Sequence, residues 1–309
     1  MLESEDMQVS NLTQIYGGAW HEEAPLENHT WLKLKNTFCK YMWLPSNIKS
    51  LSNFIQDQRM QYVILGNGSN TLLNSIDGVV IKLQSMKHIR FDNGLIVVDA
   101  GVSNKVLITK ALSQKQGGFE FLYTIPGTLG GSIIMNAGAH GDCIGNHIQW
   151  VEGIERQTGK CVRIDKSDMK FDYRHSSLQE NIIVTRCALR AVEVNPVDSK
   201  ERLLQIDRYV TLKQPRELTL GSTFKNSENE QAWKLLNQLS QDDLSCKNIY
   251  FSDMHRNFLI NRGHATAQEV FALVNRVRQK VFEKTSIKLE LEIKVEGICL
   301  TSTIDSLNK

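Results

Sequence analysis

The chain has 309 residues, with 36 Lys and Arg against 34 Asp and Glu, a formal charge of +2. That near-balance excludes a strongly basic nucleic-acid or anionic-membrane footprint as the organising feature. A content of 41% hydrophobic and 23% charged residues excludes a disordered chain and suffices for two or three domains.

Residues 1–27 begin MLESEDMQVS, with neither a basic start nor an apolar core, and read as a loose leader rather than an export or transit peptide. Ile48, Leu51, Phe54 and Ile55 follow helical spacing behind Ser46, a candidate N-cap. Tyr62–Leu65 reads as a strand running into Gly66-Asn67-Gly68-Ser69-Asn70, with short strands following at Gly78–Leu83 and Leu95–Asp99. A helix is predicted over Ser103–Ser113, with Val106, Leu107 and Ala111 on one face. Strands are predicted near 148–155, 161–164 and 182–194. The polar stretch NPVDSKER at 195–202 reads as a linker. Beyond it come helices at 203–210, 233–239 and 266–282, the last opened by a Thr266/Glu269 capping box, and a final strand at 287–295. The pattern is α+β.

The six cysteines contain no CxxC pair and read as free, mostly buried thiols; the eight histidines show no metal spacing, so no metal site is expected. The longest apolar runs are a few residues, against the roughly 20 that a membrane helix needs. A cytoplasmic chain with no nucleic-acid or membrane partner is expected.

Glycine is uneven: eight of the 20 lie between Gly117 and Gly145. Two segments carry chemical signals. GNGSN follows an apolar strand, where glycines let main-chain N–H groups converge on an anion; a simple hairpin turn would also use them. It is neither GxGxxG before a long helix nor a P-loop. The second segment, FLYTIPGTLGGSIIMNAGAHG from Phe121 to Gly141, suits a flat polar-edged ring held by bare backbone, and equally a tightly packed helix start.

Taken together, and followed by YRHSS and GSTFKN, these motifs resemble the UDP-N-acetylenolpyruvoylglucosamine reductase family over roughly residues 30–297. The segment IPGTxGGxxxMNAGAxG is highly specific to that family, whereas GNGSN is shared among many flavoproteins. The resemblance implies a two-part FAD-binding unit of the vanillyl-alcohol-oxidase (PCMH) type, at 28–98 and 99–198, and a C-terminal α+β substrate-binding domain at 199–309. It also implies noncovalent FAD, NADPH as hydride donor, a UDP-sugar substrate and a monomeric enzyme. Gly66, Asn67, Gly68, Ser69 and Asn70 would hold the pyrophosphate. Ile125, Pro126, Gly127, Thr128, Gly130, Gly131, Asn136, Ala137 and Gly138 would line the flavin.

In the family, hydride from reduced flavin goes to C3 of an enolpyruvyl ether, and charge builds at C2 beside a carboxylate. That chemistry calls for a cation, a group assisting the enolic form and a proton donor. By motif position, Arg174 would engage the carboxylate, Ser222 would protonate C2, and Glu292, rather than Glu290 on the same strand face, would assist Arg174, with a raised pKa in a dry pocket. Tyr173, Asn226 and Lys294 would bind substrate. The short interval between Arg174 and Ser222 matches the subgroup lacking an extra tyrosine loop. His255-Arg256-Asn257-Phe258 matches a family HxNF segment, read as packing and loop anchoring. His140 fills a variable motif position and reads as an ordinary loop histidine.

The chain also departs from the family. Lys35-Asn36-Thr37-Phe38 stands where GGPA is usual, Leu220 replaces a glycine, and 239–253 lacks the usual small residues. Loss of glycine at a positive φ would cost about 1 kcal/mol or more per site. A relative that binds flavin without turnover, or a flavin oxidase on the same scaffold, are the alternative readings.

Overall fold

Val9–Tyr16 is a helix and Ala19–Pro25 a strand in the computed structural model of the protein, which describes residues 8–92, 94–227 and 229–297. The described part of the expected leader is therefore folded. Aromatic burial holds it: Tyr16 meets Phe54 edge-on at 5.2 Å between centroids, and Trp20 stacks on Trp43 at 4.9 Å. Both indoles donate to the Gly17 carbonyl oxygen, at 3.0 and 2.9 Å. Residues 1–7 and Cys299 lie outside the described residues.

The described residues form two compact units, 8–22 with 41–66 and 78–208, and 23–40 with 67–77 and 209–297. The first unit contains a five-stranded antiparallel sheet in the order Cys161–Asp165, Ile148–Glu155, Ile182–Arg190, Leu95–Asp99, Ile89–Asp92. Its strands supply fully buried positions such as Ile96, Val98, Val151 and Leu189. Tyr62–Ile64 runs parallel to Val79–Ile81. Asn47, not Ser46, caps the helix Ile48–Asp57, its side chain accepting the Ser50 N–H at 2.9 Å. Ser103 caps Asn104–Ser113. Of the face predicted there, Leu107 and Ala111 are buried but Val106 is 45% exposed; Asn104 and Ile108 face inward instead.

The predicted linker is the start of an 18-residue helix, Pro196–Lys213. Asn195 acts as its cap, with Oδ1 accepting the Val197 N–H at 3.0 Å, and Pro196 takes the first helical position, where a missing N–H costs nothing. Asn-Pro followed by an acidic first turn is a helix start; polarity alone disguised it.

The second unit has a four-stranded antiparallel sheet in the order Leu218–Ser222, Phe258–Asn261, Ile249–Phe251, Ser245–Cys246. The helix Ala267–Thr285 packs beside it and begins at Thr266 with both capping-box bonds present. Leu32, Phe224, Leu236, Phe251 and Val277 lie in this core; each such burial contributes about 1.5–3 kcal/mol. The strand predicted at 287–295 is shorter. Only Lys294–Glu296 is regular, parallel to Thr71–Leu73, with an isolated bridge from Leu291 to Phe224 upstream. Leu289 and Ile293 are nonetheless buried, so the period-two signal was sound while the pairing is interrupted.

Cys39, Cys143, Cys161, Cys187 and Cys246 are free thiols, and only Cys39 and Cys187 are buried, fewer than expected. No helix among the described residues is long and apolar enough to cross a membrane.

Candidate functional site

In the first unit the two glycine motifs meet. A Cβ on Gly66 would lie 2.7 Å from Thr128 Oγ1, so the bare backbone of Gly66 is what lets the Thr128 side chain pack against it. Thr128 caps the short helix Leu129–Ile134, accepting the Gly131 N–H at 3.4 Å. The neighbouring glycines there do different things. A Cβ on Gly130 would meet the Ala100 Cβ at 2.9 Å, so Gly130 serves packing; one on Gly131 would meet only Thr128 Oγ1 at 3.6 Å, leaving an open face. Gly127 has φ +138, beyond ordinary L-residue conformation. The loop through Ile125 and Pro126 is held from below by Asn104, a buried amide that donates to the Ile125 carbonyl and to Ser132 Oγ, both at 2.9 Å.

Asn136 links this motif to the arginine loop. Its Nδ2 donates to the Asp172 carbonyl at 2.8 Å and its Oδ1 accepts the Gly145 N–H at 3.0 Å. Both side-chain functions thus serve the fold. Asp172 ends one strand of a tight hairpin, Phe171–Asp172 and His175–Ser176, whose tip is Tyr173-Arg174. Buried Ser176 anchors the other strand, donating to the Ile134 carbonyl at 2.9 Å. Arg174 itself has φ 55, an uncommon left-handed conformation for a side-chain-bearing residue. Its guanidinium lies over the half-exposed Tyr173 ring, 5.1 Å from the centroid. Ala137 is buried, and Gly138 admits the turn at Asp142–Cys143, where a Cβ would sit 2.5 Å from the Asp142 carbonyl oxygen. His140 is exposed at φ 56.

The second unit holds the rest of GNGSN. Gly68 has φ +61, and a Cβ there would be 2.3 Å from the His29 carbonyl oxygen; its own carbonyl accepts the Trp31 N–H at 3.0 Å. Asn70 turns toward the C-terminal segment. Its Nδ2 donates to the Glu292 carbonyl at 3.2 Å, and its carbonyl accepts the Lys294 N–H at 2.9 Å.

Ser222 follows Gly221, whose φ of 78 coincides with an irregularity in register between Thr219 and Ser222. Bulges of this kind re-aim side chains. The next residue, Thr223, is bonded on both sides: its N–H donates to the Asn257 carbonyl at 2.8 Å, and its carbonyl accepts the Glu292 N–H at 2.9 Å. Ser222 and Glu292 are therefore linked through the one residue between them in this bonding path, Thr223. Asn257 then pairs fully with Phe224, accepting its N–H at 3.0 Å and donating to its carbonyl at 2.8 Å. This is the anchoring expected of the HxNF segment. Burial holds the imidazole of His255 below its ordinary pKa. Asn226 is exposed and caps the helix Ala232–Leu236 by accepting the Ala232 N–H at 3.0 Å. Glu290 and Glu292, placed on one face by the sequence, differ in environment: Glu290 is exposed and 3.4 Å from the Lys225 ammonium, whereas Glu292 is half-buried.

Thus the structure joins Gly66 to Thr128, and the arginine hairpin to the second motif, in one unit. In the other it joins Asn70, Ser222 and Glu292. The sequence reading missed the buried polar residues that do the joining, Asn104, Ser176 and Lys82, whose Nζ donates to the Gly66 carbonyl at 3.1 Å, because buried polar positions carry no periodic signal. Among the described residues no group of His, Cys, Asp and Glu could hold a metal ion.

Comparison with known proteins gives concordant matches. Residues 214–296 match the family described as UDP-N-acetylenolpyruvoylglucosamine reductase, C-terminal domain, and residues 44–165 match an FAD binding domain. A protein of Orientia tsutsugamushi (strain Boryong) called UDP-N-acetylenolpyruvoylglucosamine reductase is 35% identical, covering 94% of this chain and 98% of its own. One of that name from Rickettsia prowazekii (strain Madrid E) is 32% identical over 93% and 99%. The crystal structure of UDP-N-acetylenolpyruvylglucosamine reductase from Thermus caldophilus superposes with a TM-score of 0.77 at 27% identity, covering 91% of this chain and 99% of that one.

Proposed function

The chain belongs to the UDP-N-acetylenolpyruvoylglucosamine reductase family, and on that premise we propose how its own residues divide the reaction. It is an FAD-dependent oxidoreductase that reduces the enolpyruvyl ether of UDP-N-acetylenolpyruvoylglucosamine, giving UDP-N-acetylmuramate for peptidoglycan synthesis, with NADPH as hydride donor. The residues present fit the cofactor. Bare backbone at Gly66 and Gly131, left-handed glycine at Gly68 and Gly127, and the buried Lys82 ammonium beside the first loop suit a flat ring system carrying an anionic diphosphate. When bound, FAD supplies the hydride that reaches C3.

In this reading Gly66–Asn70 hold the diphosphate, while Ile125–Thr128, Gly130, Gly131 and Asn136–Gly138 shape the flavin site. Asn136 acts through its main chain and by bracing the arginine hairpin. Arg174 binds the substrate carboxylate, a task for a guanidinium that stays charged and can engage two oxygens. Glu292 assists Arg174 as charge accumulates toward the carboxylate. Ser222 Oγ gives its proton to C2, whose carbanion-like character makes a hydroxyl a competent acid. Tyr173, Asn226 and Lys294 bind the substrate. The observation that supports this assignment is the bond from the Glu292 N–H to the carbonyl of Thr223, the residue after Ser222.

The functional division belongs to the same proposal: FAD-binding segments at 28–98 and 99–198, then a substrate-binding segment at 199–309. So does action as a cytoplasmic monomer, the compartment being where NADPH and nucleotide sugars are held. Anaerobic titration tests the function. NADPH should bleach the flavin absorbance of the wild-type protein, and UDP-N-acetylenolpyruvoylglucosamine should restore it stoichiometrically. A reduced flavin that this substrate leaves bleached contradicts the reading.

A further inference from the structure

Lys82 follows the strand Ile76–Ile81 and is only 2% exposed, among the most deeply buried side chains of the protein. Its main-chain N–H donates to the Trp43 carbonyl at 2.9 Å, and its Nζ donates to the Gly66 carbonyl at 3.1 Å. Lysines are almost never buried to this degree unless partnered, since an ammonium loses strong hydration when it leaves water. What the charge adds is a positive field, weakly screened by solvent, next to the first residue of Gly66–Asn70.

We propose that Lys82 is a positioning residue for the cofactor diphosphate: it fixes the Gly66 carbonyl, and its buried charge stabilises the dianion held by the loop. This rests on the reading that Gly66–Asn70 take the diphosphate. It goes beyond that reading by placing a cation for the diphosphate on a side chain outside both glycine motifs.

The test is fluorescence titration of the apo-protein with FAD and with riboflavin, which lacks both phosphates, using the wild type, Lys82→Met and Lys82→Gln. Methionine keeps the length of the stem and glutamine keeps a neutral donor; thermal melting of each apo-protein checks that it folds. The wild type should prefer FAD strongly. Both variants should bind FAD roughly 10- to 100-fold more weakly, the range expected for a hydrogen-bonded charge, with little change toward riboflavin. An unchanged FAD preference in Lys82→Met, or full retention in Lys82→Gln, overturns the role of the charge. A wild type that does not distinguish FAD from riboflavin would instead overturn the assignment of the loop, so the two failures are separable.

Discussion

Between Gly117 and Gly145 the chain packs largely through what its glycines lack, with the Asn136 amide bracing it, whereas between Leu218 and Asn261 it is held chiefly by side-chain amides that reach the backbone. In the first region, Gly130 lies against Ala100, Gly138 against Asp142 and Gly145 against Phe171, each at a distance no Cβ could occupy. In the second, Asn257 takes both polar groups of Phe224, and buried Asn261 donates to the Leu32 carbonyl at 2.7 Å while accepting the Gly263 and Ala265 N–H groups at 2.8 and 3.0 Å. A loop that must leave room for a flat ligand gains from having no side chains. A loop that must present one hydroxyl in one direction gains from a fully satisfied amide beneath it. The difference also explains the missing glycines. In 239–253 no residue has a positive φ, and at 220–221 the positive φ falls on the retained Gly221 while Leu220 is packed in the core. Of the replaced positions, Asn36 alone is left-handed, φ 56, and asparagine tolerates that region better than most. The departures from the family pattern therefore carry little backbone strain.

The comparison can be broken at its strongest point first. Asn257→Ala strands the buried N–H and carbonyl of Phe224, at about 1–3 kcal/mol for each unsatisfied group. Chemical denaturation should show a loss of that order, together with a fall in product formation larger than any fall in flavin reduction by NADPH. A variant as stable as the wild type would show that the amide does not hold the loop. Next, Gly138→Ala forces a methyl against the Asp142 backbone, and overpacking of this kind costs about 1–3 kcal/mol. It should weaken FAD retention on gel filtration while leaving product formation intact in cofactor-saturated protein; full retention of FAD would contradict the close-approach argument. The smallest effect is expected at Asn36→Gly, a change in stability under about 1 kcal/mol in either direction, measured by thermal melting. A large stabilisation would mean that the lost GGPA glycines had mattered after all.

Much of this architecture was legible in the sequence because it rests on periodicity and local chemistry. The Thr266 capping box and the strands at 95–99 and 148–155 all stand where they were read. What escaped depends on tertiary partners. The helix at Val9–Tyr16 has a short apolar face whose value comes from aromatic residues more than 25 positions away, and Asn195-Pro196 looked like a linker because a helix cap and a turn use the same residues. At the candidate site, motif position pointed to Arg174, Ser222 and Glu292. Neither the left-handed conformation of Arg174 nor the bond from Glu292 to Thr223 leaves a trace in local pattern.

The division of labour, bare backbone for the cofactor and a braced hydroxyl for the substrate, is tested most directly by rapid-mixing absorbance of Ser222→Ala under anaerobic conditions. Flavin reduction by NADPH should proceed at the wild-type rate. Reoxidation by UDP-N-acetylenolpyruvoylglucosamine should slow by roughly 10²- to 10⁴-fold, the range for loss of a general acid. Reoxidation at the wild-type rate would remove Ser222 from the proton transfer and contradict the account.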